Sequence, residues 1–364
     1  MCKTPFIFNK LDNYFCPVIT CLRNISKMLK LAEIIGVFLV MASFFESVPQ
    51  SVLDKIDSLE LSVEGTNCLE AISSLLEKTV LSGGKRLRPM LTFMMGELFF
   101  QESSAVVECA KAIEMVHGAS LAHDDVVDNA TQRRGEPSIN IVSSNKSAVL
   151  AGDYLLADVI SRLAYLGDIE IIRQMSDVIK ELALGEWIQS DAIEERSYSR
   201  ELIEKIAQHK TASVMSFCTW APAHISKAPL EIVKASHEFG RRLGLAFQLM
   251  DDTLDYQEHS QKDVLLDVKN NIVNSVVLEW LELNPESFSK YKSGTDLIDL
   301  WNEEKLSEAI SVVRSRALAH MDQARGCLAT IASYLESQGH PTSEVTRRLA
   351  PLNFIIDFII SRDI

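Results

Sequence analysis

The sequence predicts an all-α protein, and three observations support this. Most of the 364 residues lie in long segments whose apolar positions recur every three or four residues, as in "AVLAGDYLLADVISRLAYL". Glycine and proline are sparse, at 15 and 10, and no run of alternating β-branched residues with hairpin turns is found. We therefore expect a bundle of helices of about ten to twenty-five residues with a site between facing helices. The expected loops lie near Gly83 and Gly84, Gly135, Pro229 and Pro285.

The chain shows no internal repeat, linker or low-complexity tract, and 47% of its residues are hydrophobic, enough for a sizeable core. Residues 47–364 are therefore expected to form one domain. Residues 1–46 form an N-terminal extension. Its first thirty residues carry five basic side chains against one acidic one, the bias of an organelle transit peptide. The apolar run 34–45 is too short to span a bilayer. It fits a first bundle helix, a membrane-surface anchor, or sequence upstream of a start at Met28 or Met41.

Composition excludes several classes of function. A net charge of −14 argues against nucleic acid as a partner, because binding a phosphate backbone requires a basic surface. Seven scattered cysteines without C-x-x-C pairs argue against a zinc site or a disulfide framework and favour a reducing compartment. We expect a cytoplasmic protein, or a mitochondrial matrix protein if residues 1–30 are a transit peptide.

The segment "LAHDDVVDNATQRRG" contains the first of two acidic motifs. On a helix, Asp124 and Asp128 lie one turn apart on the same face, and like charges at that spacing destabilise the helix unless a cation lies between them. Magnesium is the natural cation, since it is usually held by one or two carboxylates together with substrate phosphates. A single motif of this kind is more typical of a solvated helix face.

The same D-D-x-x-D spacing recurs 127 positions later, in "FQLMDDTLDY", with Asp251, Asp252 and Asp255. Both copies end an apolar helical stretch. Two such helices facing each other would present two acidic clusters to the same group of metal ions. The repetition therefore favours a metal site over a solvated surface.

Basic side chains accompany the acidic motifs. "LSGGKRLRPM" places Lys85, Arg86 and Arg88 after two glycines and before Pro89, as in a loop that leads into a helix. Glycine allows close backbone approach to an anion, and arginine donates paired hydrogen bonds to phosphate oxygens. The alternative is a solvated basic turn. A second pair of arginines, Arg133 and Arg134, follows the first acidic motif and also indicates an anionic partner.

Five motifs together resemble those of the all-trans polyprenyl diphosphate synthases, which include farnesyl, geranylgeranyl and longer-chain enzymes. They are "GGKRLRP", "LAHDDVVDNATQRRG", "LAGDYLLA", "HKTAS" and "FGRRLGLAFQLMDDTLDY", in the family's order and approximate spacing. The resemblance covers about residues 50 to 285. It implies an isoprenoid-synthase-type helical bundle around a deep central cavity, usually in a homodimer, with peripheral membrane contact for product release. The implied reaction condenses isopentenyl diphosphate with an allylic diphosphate primer.

The resemblance also implies roles for individual residues. A cluster of about three Mg²⁺ ions, for which Mn²⁺ can substitute, would lie between the two acidic motifs. Asp124, Asp128 and Asp251 would hold the ions, with support from Asp125, Asp252 and Asp255. The first three, with Lys210, would be the catalytic residues. The allylic diphosphate would contact Arg133, Lys210 and Lys262, with Thr211 beside them. The isopentenyl diphosphate would contact Lys85, Arg88, His117 and Arg134.

Two candidate site residues, His117 and Gln248, have more than one interpretation. His117, about two turns before Asp124, fits a ligand of the diphosphate, although a histidine on an apolar helix is more often a satisfied core residue. Gln248 fits a contact in the allylic pocket and a buried hydrogen-bonding group equally well.

Product length is expected to depend on the helix that precedes the first acidic motif. The residues one to three turns upstream of Asp124 would line the growing product. They are small or slim, unlike the bulky aromatics of short-chain relatives, although Met115 narrows the path lower down; the set is Ala112, Met115, Val116, Ala119 and Ser120. We therefore expect a long-chain product, such as a quinone side-chain precursor or a related lipid carrier.

The chain also departs from the family pattern. Relatives carry a Gly-Lys-Pro segment and then Gly-x-x-Thr-Ala-Pro after the second motif, whereas this chain retains only Lys262 of the first and has Asn274 and Ser275 near the position of the Thr-Ala pair. Two other functions share part of this pattern. A terpene cyclase typically replaces the second motif by an Asn/Ser/Glu pattern, and a non-catalytic partner subunit usually lacks one or both motifs. Here both motifs are present.

Overall fold

The computed structural model describes residues 47–62, 70–81, 84–133, 135–256 and 265–361. The expectations for residues 1–46, Gly83, Arg134 and Lys262 lie outside this part of the chain. The described residues confirm the all-α prediction, because they form α-helices, one π-helical turn and a minimal β-hairpin. None of the helices in this part of the chain is both long and apolar enough to cross a membrane.

The first half of the described chain begins with two short helices and includes the helix that ends in the first acidic motif. In chain order these are α1 Gln50–Asp57, α2 Glu70–Lys78, α3 Leu87–Leu98, α4 Ser104–Val127, α5 Ile139–Val142, α6 Asn145–Ala164 and α7 Ile169–Glu195. The strands β1 Gln132–Arg133 and β2 Glu136–Pro137 pair antiparallel between α4 and α5. Gly135, with φ of 81°, forms the turn at the expected loop, but the short strands themselves were not predicted.

The second half contains the helices around the second acidic motif. They are α8 Arg200–Ala207, the π-helical turn Gln208–Ala212, α9 Ser213–Ile225, α10 Leu230–Leu254, α11 Leu266–Lys269, α12 Ser275–Leu283, α13 Pro285–Lys292, α14 Leu297–Leu300, α15 Leu306–Ser337 and α16 Thr342–Ser361. Pro229 immediately precedes α10 and Pro285 begins α13, as the loop predictions required. The 32 residues of α15 exceed the expected length, because the helix packs along both α10 and α12.

Packing places the two acidic motifs on helices with a shared neighbour. α9 packs against both α4 and α10, while α6 covers α4 and α15 covers α10. The main hydrophobic core runs through all of these helices, from Val48 to Ile359. Ten consecutive residues of α3 and eleven of α9 are buried, which identifies these two helices as central elements of the bundle.

Candidate active site

Both acidic motifs lie at the C-terminal ends of long helices. α4 ends at Val127, and the backbone N–H of Asp128 donates to the Asp124 carbonyl at 2.8 Å. α10 ends at Leu254, so that Asp255 occupies the corresponding capping position. The C-terminal end of a helix carries partial negative charge, and a carboxylate there is destabilising by about 0.3–1 kcal/mol when exposed. Each helix therefore concentrates negative charge where only a cation can neutralise it.

Glu186 adds a further carboxylate beside the first motif. Partial burial raises the pKa of Asp124 to about 6, with Lys210 acting against this and the carboxylates of Glu186 and Asp128 adding to it. Loss of hydration also raises the pKa of Asp128, and Glu186 again contributes. Three carboxylates in one partly dehydrated region repel one another, and a divalent cation would relieve that repulsion.

Two consecutive residues of the π-helical turn connect the motifs. Lys210 forms an ion pair with Glu186, donates to Gln189 Oε1 at 3.0 Å, and acts electrostatically on Asp124. Thr211 Oγ1 donates to Gln248 Oε1 at 2.8 Å, and Gln248 Nε2 donates to Asp252 Oδ1 at 2.9 Å. The sequence places the motifs 127 residues apart, and the fold brings them to opposite sides of one turn.

The π-helical turn requires unusually close packing on both sides. A Cβ on Gly185 of α7 would lie 2.7 Å from Lys210 Cγ, and a Cβ on Gly244 of α10 would lie 2.6 Å from Ala212 Cα. Both distances are far below van der Waals contact. Extra turns of this kind are rare and occur frequently at functional sites. The two glycines therefore allow the chain to place Lys210 and Thr211 between the acidic motifs.

The middle aspartate of each motif is buried and holds a neighbouring group. Asp125 is fully buried and accepts hydrogen bonds from Arg133 Nε at 2.7 Å and Nη2 at 2.5 Å. Asp252 accepts from Gln248 and, at 3.0 Å, from the backbone N–H of Ser275; burial raises the pKa of Asp252 to about 6. A supporting role of both aspartates in metal binding stays a prediction. Asp251 and Asp255 remain half-buried beside Asp252.

Asn274, one of the departures from the family pattern after the second motif, has a structural role. Asn274 caps α12, because its side-chain oxygen accepts from the Val277 N–H at 3.0 Å. Its amide also donates to Asp267 Oδ2 at 2.9 Å, and the Tyr256 hydroxyl donates to its oxygen at 3.2 Å. The segment therefore begins a helix whose first N–H anchors Asp252.

The basic segment leads into a helix, as predicted. Arg86 directly precedes α3 with φ of 51°, and Pro89 lies in the first turn. Arg88 lies in the same turn, while Lys85 is exposed. His117 is half-buried on α4, two turns before Asp124.

The residues predicted to govern product length lie in the core. Ala112, Val116 and Ala119 are fully buried on α4, and Met115 is 1% exposed. Ser120 is half-buried, and its hydroxyl donates to the His117 carbonyl at 2.9 Å. No bulky aromatic side chain stands at these positions of α4, so this face of the helix is slim.

Two residues near the site were not predicted. Glu186 and Gln189 lie one turn apart on α7, in "GEWIQ", and both contact Lys210. The only sequence signal was the spacing of an acidic and an amide residue one turn apart, and this spacing is common on helix surfaces. Their role depends on the packing of α7 against the π-helical turn.

The described residues contain no group of three or more His, Cys, Asp or Glu side chains able to hold an ion by themselves. Magnesium is usually bound by one or two carboxylates and completes its coordination with water and substrate phosphates. The paired aspartates at each helix end fit such an ion if a diphosphate supplies the other ligands. The neighbouring cations, Lys210 and Arg133, suit that anion.

Comparisons with known proteins identify the family of this chain. Residues 69–312 match the family model for polyprenyl synthetase. Solanesyl diphosphate synthase 3 of Arabidopsis thaliana is 34% identical over 249 residues, which cover 67% of this chain and 58% of that protein. Nonaprenyl diphosphate synthase of Mycobacterium tuberculosis is 32% identical over 302 residues, covering 80% of this chain and 87% of that protein.

Solved structures share the fold. A decaprenyl diphosphate synthase from Rhodobacter capsulatus superposes with a TM-score of 0.71 at 26% identity, covering 90% of this chain and 98% of that one. A polyprenyl synthase from Caulobacter crescentus, complexed with calcium and isoprenyl diphosphate, superposes with a TM-score of 0.70 at 24% identity, covering 93% of this chain and 98% of that one. The fold is thus the all-α fold of the isoprenoid synthases. With the family match over residues 69–312, the chain belongs to the polyprenyl synthetase family.

Proposed function

We propose that this chain is a trans-polyprenyl diphosphate synthase, which joins isopentenyl diphosphate to an allylic diphosphate and makes a long-chain product. The observation that carries the proposal is the link through Lys210 and Thr211 between the two acidic motifs. The family match supports it, as do relatives whose names specify solanesyl and nonaprenyl diphosphates.

The site suits a reaction that begins with loss of diphosphate. Breaking the allylic carbon–oxygen bond leaves an allylic cation and a diphosphate anion, and the growing negative charge requires preorganised positive groups. Mg²⁺ bound at the two motifs would supply Lewis-acid stabilisation of the leaving oxygens. Asp124, Asp128 and Asp251 would hold it, and Mn²⁺ is expected to substitute.

The chain's own cations would orient the two substrates. Lys210 and Arg133 would bind the allylic diphosphate, and the contacts of Lys210 with Glu186 and Gln189 hold its ammonium group in place. Lys85, Arg88 and His117 would bind isopentenyl diphosphate, whose double bond attacks the allylic cation. The proton lost afterwards is transferred to the released diphosphate.

A long product is proposed because the α4 face upstream of Asp124 carries no bulky aromatic side chain. Ala119 and Ser120, about one turn before the motif, would line the path of the growing chain, and Val116 and Ala112 continue this face. The product would therefore extend along α4, away from the metal ions.

A homodimer is proposed from the exposed apolar surface. In the described residues, most exposed large apolar side chains are concentrated between the end of α4 and the middle of α7: Val127, Ile141, Val142, Val149, Leu150, Tyr165, Ile169, Leu184 and Trp187. Exposed apolar side chains concentrated in one part of the chain are typical of a protein–protein interface. We commit to a second copy of the chain. Sedimentation of the purified protein should give a dimer that Leu150→Glu dissociates, whereas a monomer, or a complex only with another chain, would contradict this.

Incubation of the purified chain with labelled isopentenyl diphosphate, Mg²⁺ and allylic primers of several lengths tests the function. Linear elongation to long products is expected. A cyclic hydrocarbon would instead indicate a terpene cyclase, and inactivity until another chain is added would indicate a non-catalytic subunit. Asp124→Asn should abolish elongation, whereas Asp322→Asn, an equal charge change on the exposed surface of α15, should leave it unchanged.

Inorganic pyrophosphate tests the metal site without turnover. Because no described cluster holds an ion alone, Mg²⁺ by itself should raise the melting temperature little, and Mg²⁺ with pyrophosphate should raise it clearly. Asp124→Asn should remove most of the second effect. An equal rise with Mg²⁺ alone would contradict binding through a diphosphate.

A further inference from the structure

Arg86 closes the basic segment into a loop. Its guanidinium donates from Nη2 to the backbone carbonyl of Leu81, before the loop, and from Nη1 to Glu114 Oε1 at 3.1 Å on α4. Arg86 itself has a left-handed backbone, with φ of 51°, and stands directly before the first residue of α3. A non-glycine residue in this conformation is uncommon and persists only where its surroundings hold it. One side chain therefore joins both ends of the segment to α4.

Glu114 is the buried partner of this contact. It is 5% exposed, and its Oε2 has no hydrogen-bond partner. His117 lies three residues further along α4, on the next turn of the same face. The carboxylate that holds the loop is therefore fixed to the turn that carries His117.

Arg88 faces the same buried region. Its Nε is buried and has no hydrogen-bond partner. Both Arg88 and Glu114 lie close enough to Cys218 to act on its thiol, although burial is the main cause that raises the pKa of Cys218 to about 12. A buried carboxylate oxygen and a buried guanidinium N–H that are both unpaired are costly, so their presence together needs an explanation.

We infer that Arg86 and Glu114 are positioning residues. They hold the segment of Lys85 and Arg88 against the α4 turn of His117 and so shape the site for isopentenyl diphosphate. The inference rests on the proposed function. It assigns neither residue a contact with substrate, and it distinguishes Arg86 from its neighbours in "GGKRLRP", because the guanidinium of Arg86 is already paired with Glu114.

Steady-state kinetics of Glu114→Gln test this role. Loss of the charged hydrogen bond should raise KM for isopentenyl diphosphate by about tenfold, with KM for the allylic primer unchanged. Arg86→Lys should raise KM for isopentenyl diphosphate by a smaller factor, because lysine retains the charge but not the forked geometry.

The double variant R86M/E114M separates positioning from stability. Removing one partner of a buried ion pair is strongly destabilising, whereas replacing both by apolar residues is often neutral. The double variant should therefore recover the melting temperature but keep the raised KM for isopentenyl diphosphate. A double variant with wild-type KM would show that the pair serves stability alone and would overturn the inference.

Glu97→Gln is the matched control. Glu97 is similarly buried, at 7% exposure, and contacts Lys55 Nζ at 3.4 Å near the other end of α3. It lies about 13 Å from Arg88 along the helix. This variant should lose stability without any change in KM, and an equal rise in KM would overturn the inference.

The test also separates this inference from the proposed function. Wild-type protein that binds pyrophosphate without condensing the substrates would reject the proposed reaction. Pyrophosphate affinity, measured by calorimetry, would then decide the positioning role: weakening by Glu114→Gln but not by Glu97→Gln would support it, and equal affinity in all three proteins would overturn it.

Discussion

Gly185→Ala should impair catalysis through a single methyl group. The new Cβ would lie 2.7 Å from Lys210 Cγ, 2.9 Å from His209 Cβ and 3.3 Å from the Lys210 backbone nitrogen. An ordinary van der Waals contact begins near 3.4 Å, so the Lys210 stem must move by about 0.7 Å or α7 must move away. Either shift changes the contacts of Lys210 with Glu186 and Gln189.

The magnitude follows from two opposing effects on stability and one effect on rate. Overpacking of this kind costs about 1–3 kcal/mol, while alanine is favoured over glycine in a helix interior by about 0.8–1 kcal/mol. The free energy of unfolding should therefore fall by no more than about 2 kcal/mol. Misplacement of a catalytic group by about 1 Å can lower the rate by about a hundredfold. We expect kcat/KM for the allylic primer to fall by about ten- to a hundredfold in a protein that still folds.

Kinetics and thermal melting of Gly185→Ala, beside Gly326→Ala, would check this prediction. Gly326 is also inside a long helix, α15, but a Cβ there would meet nothing within 4 Å. Gly326→Ala should therefore be slightly stabilising and leave the kinetics unchanged. Wild-type kcat/KM in Gly185→Ala would refute the claim that close approach of α7 to the π-helical turn positions Lys210.

Two further predictions concern the product and the pH dependence of stability. Ala119→Phe places an aromatic ring in a fully buried position one turn before Asp124 and should shorten the products seen by reverse-phase chromatography; unchanged length would show that the product does not pass this face of α4. His320 is buried against Arg242, and Arg242 Nη1 lies 3.1 Å from His320 Nδ1. Burial lowers the pKa of His320 below 6.5. The charge of Glu204 opposes this shift, and the charges of Arg242, Arg241 and Arg316 reinforce it. Its contribution to stability is complete above about pH 6.5 and is lost as the pH falls further, because the unfolded chain takes up a proton that the folded chain resists. The melting temperature of His320→Gln should therefore fall less than that of the wild type on acidification below about pH 6.5, and parallel curves would contradict this.

Local sequence patterns were sufficient to predict the helical class and several of the places where helices end. The apolar periodicity of α4 and α10 and the loops at Gly135, Pro229 and Pro285 depend on residues close in the chain, which is why they could be predicted. The length of α15 could not, because it follows from packing along two other helices. The β-hairpin around Gly135 was also missed, since strands of two residues leave no periodic signal.

The candidate site also has some features that the sequence predicts and others that depend on the tertiary structure. The D-D-x-x-D spacing places carboxylates on one helix face by local geometry alone, so the sequence by itself determined that two acidic helix ends exist, and it predicted that cations neutralise them. Only the tertiary structure decided which groups meet them. Glu186 and Gln189 reach Lys210 because α7 packs against the π-helical turn, and the close approach at Gly185 depends on residues that are 25 positions apart in the chain. Such pairings are set by long-range packing of the core, which a local sequence pattern does not specify.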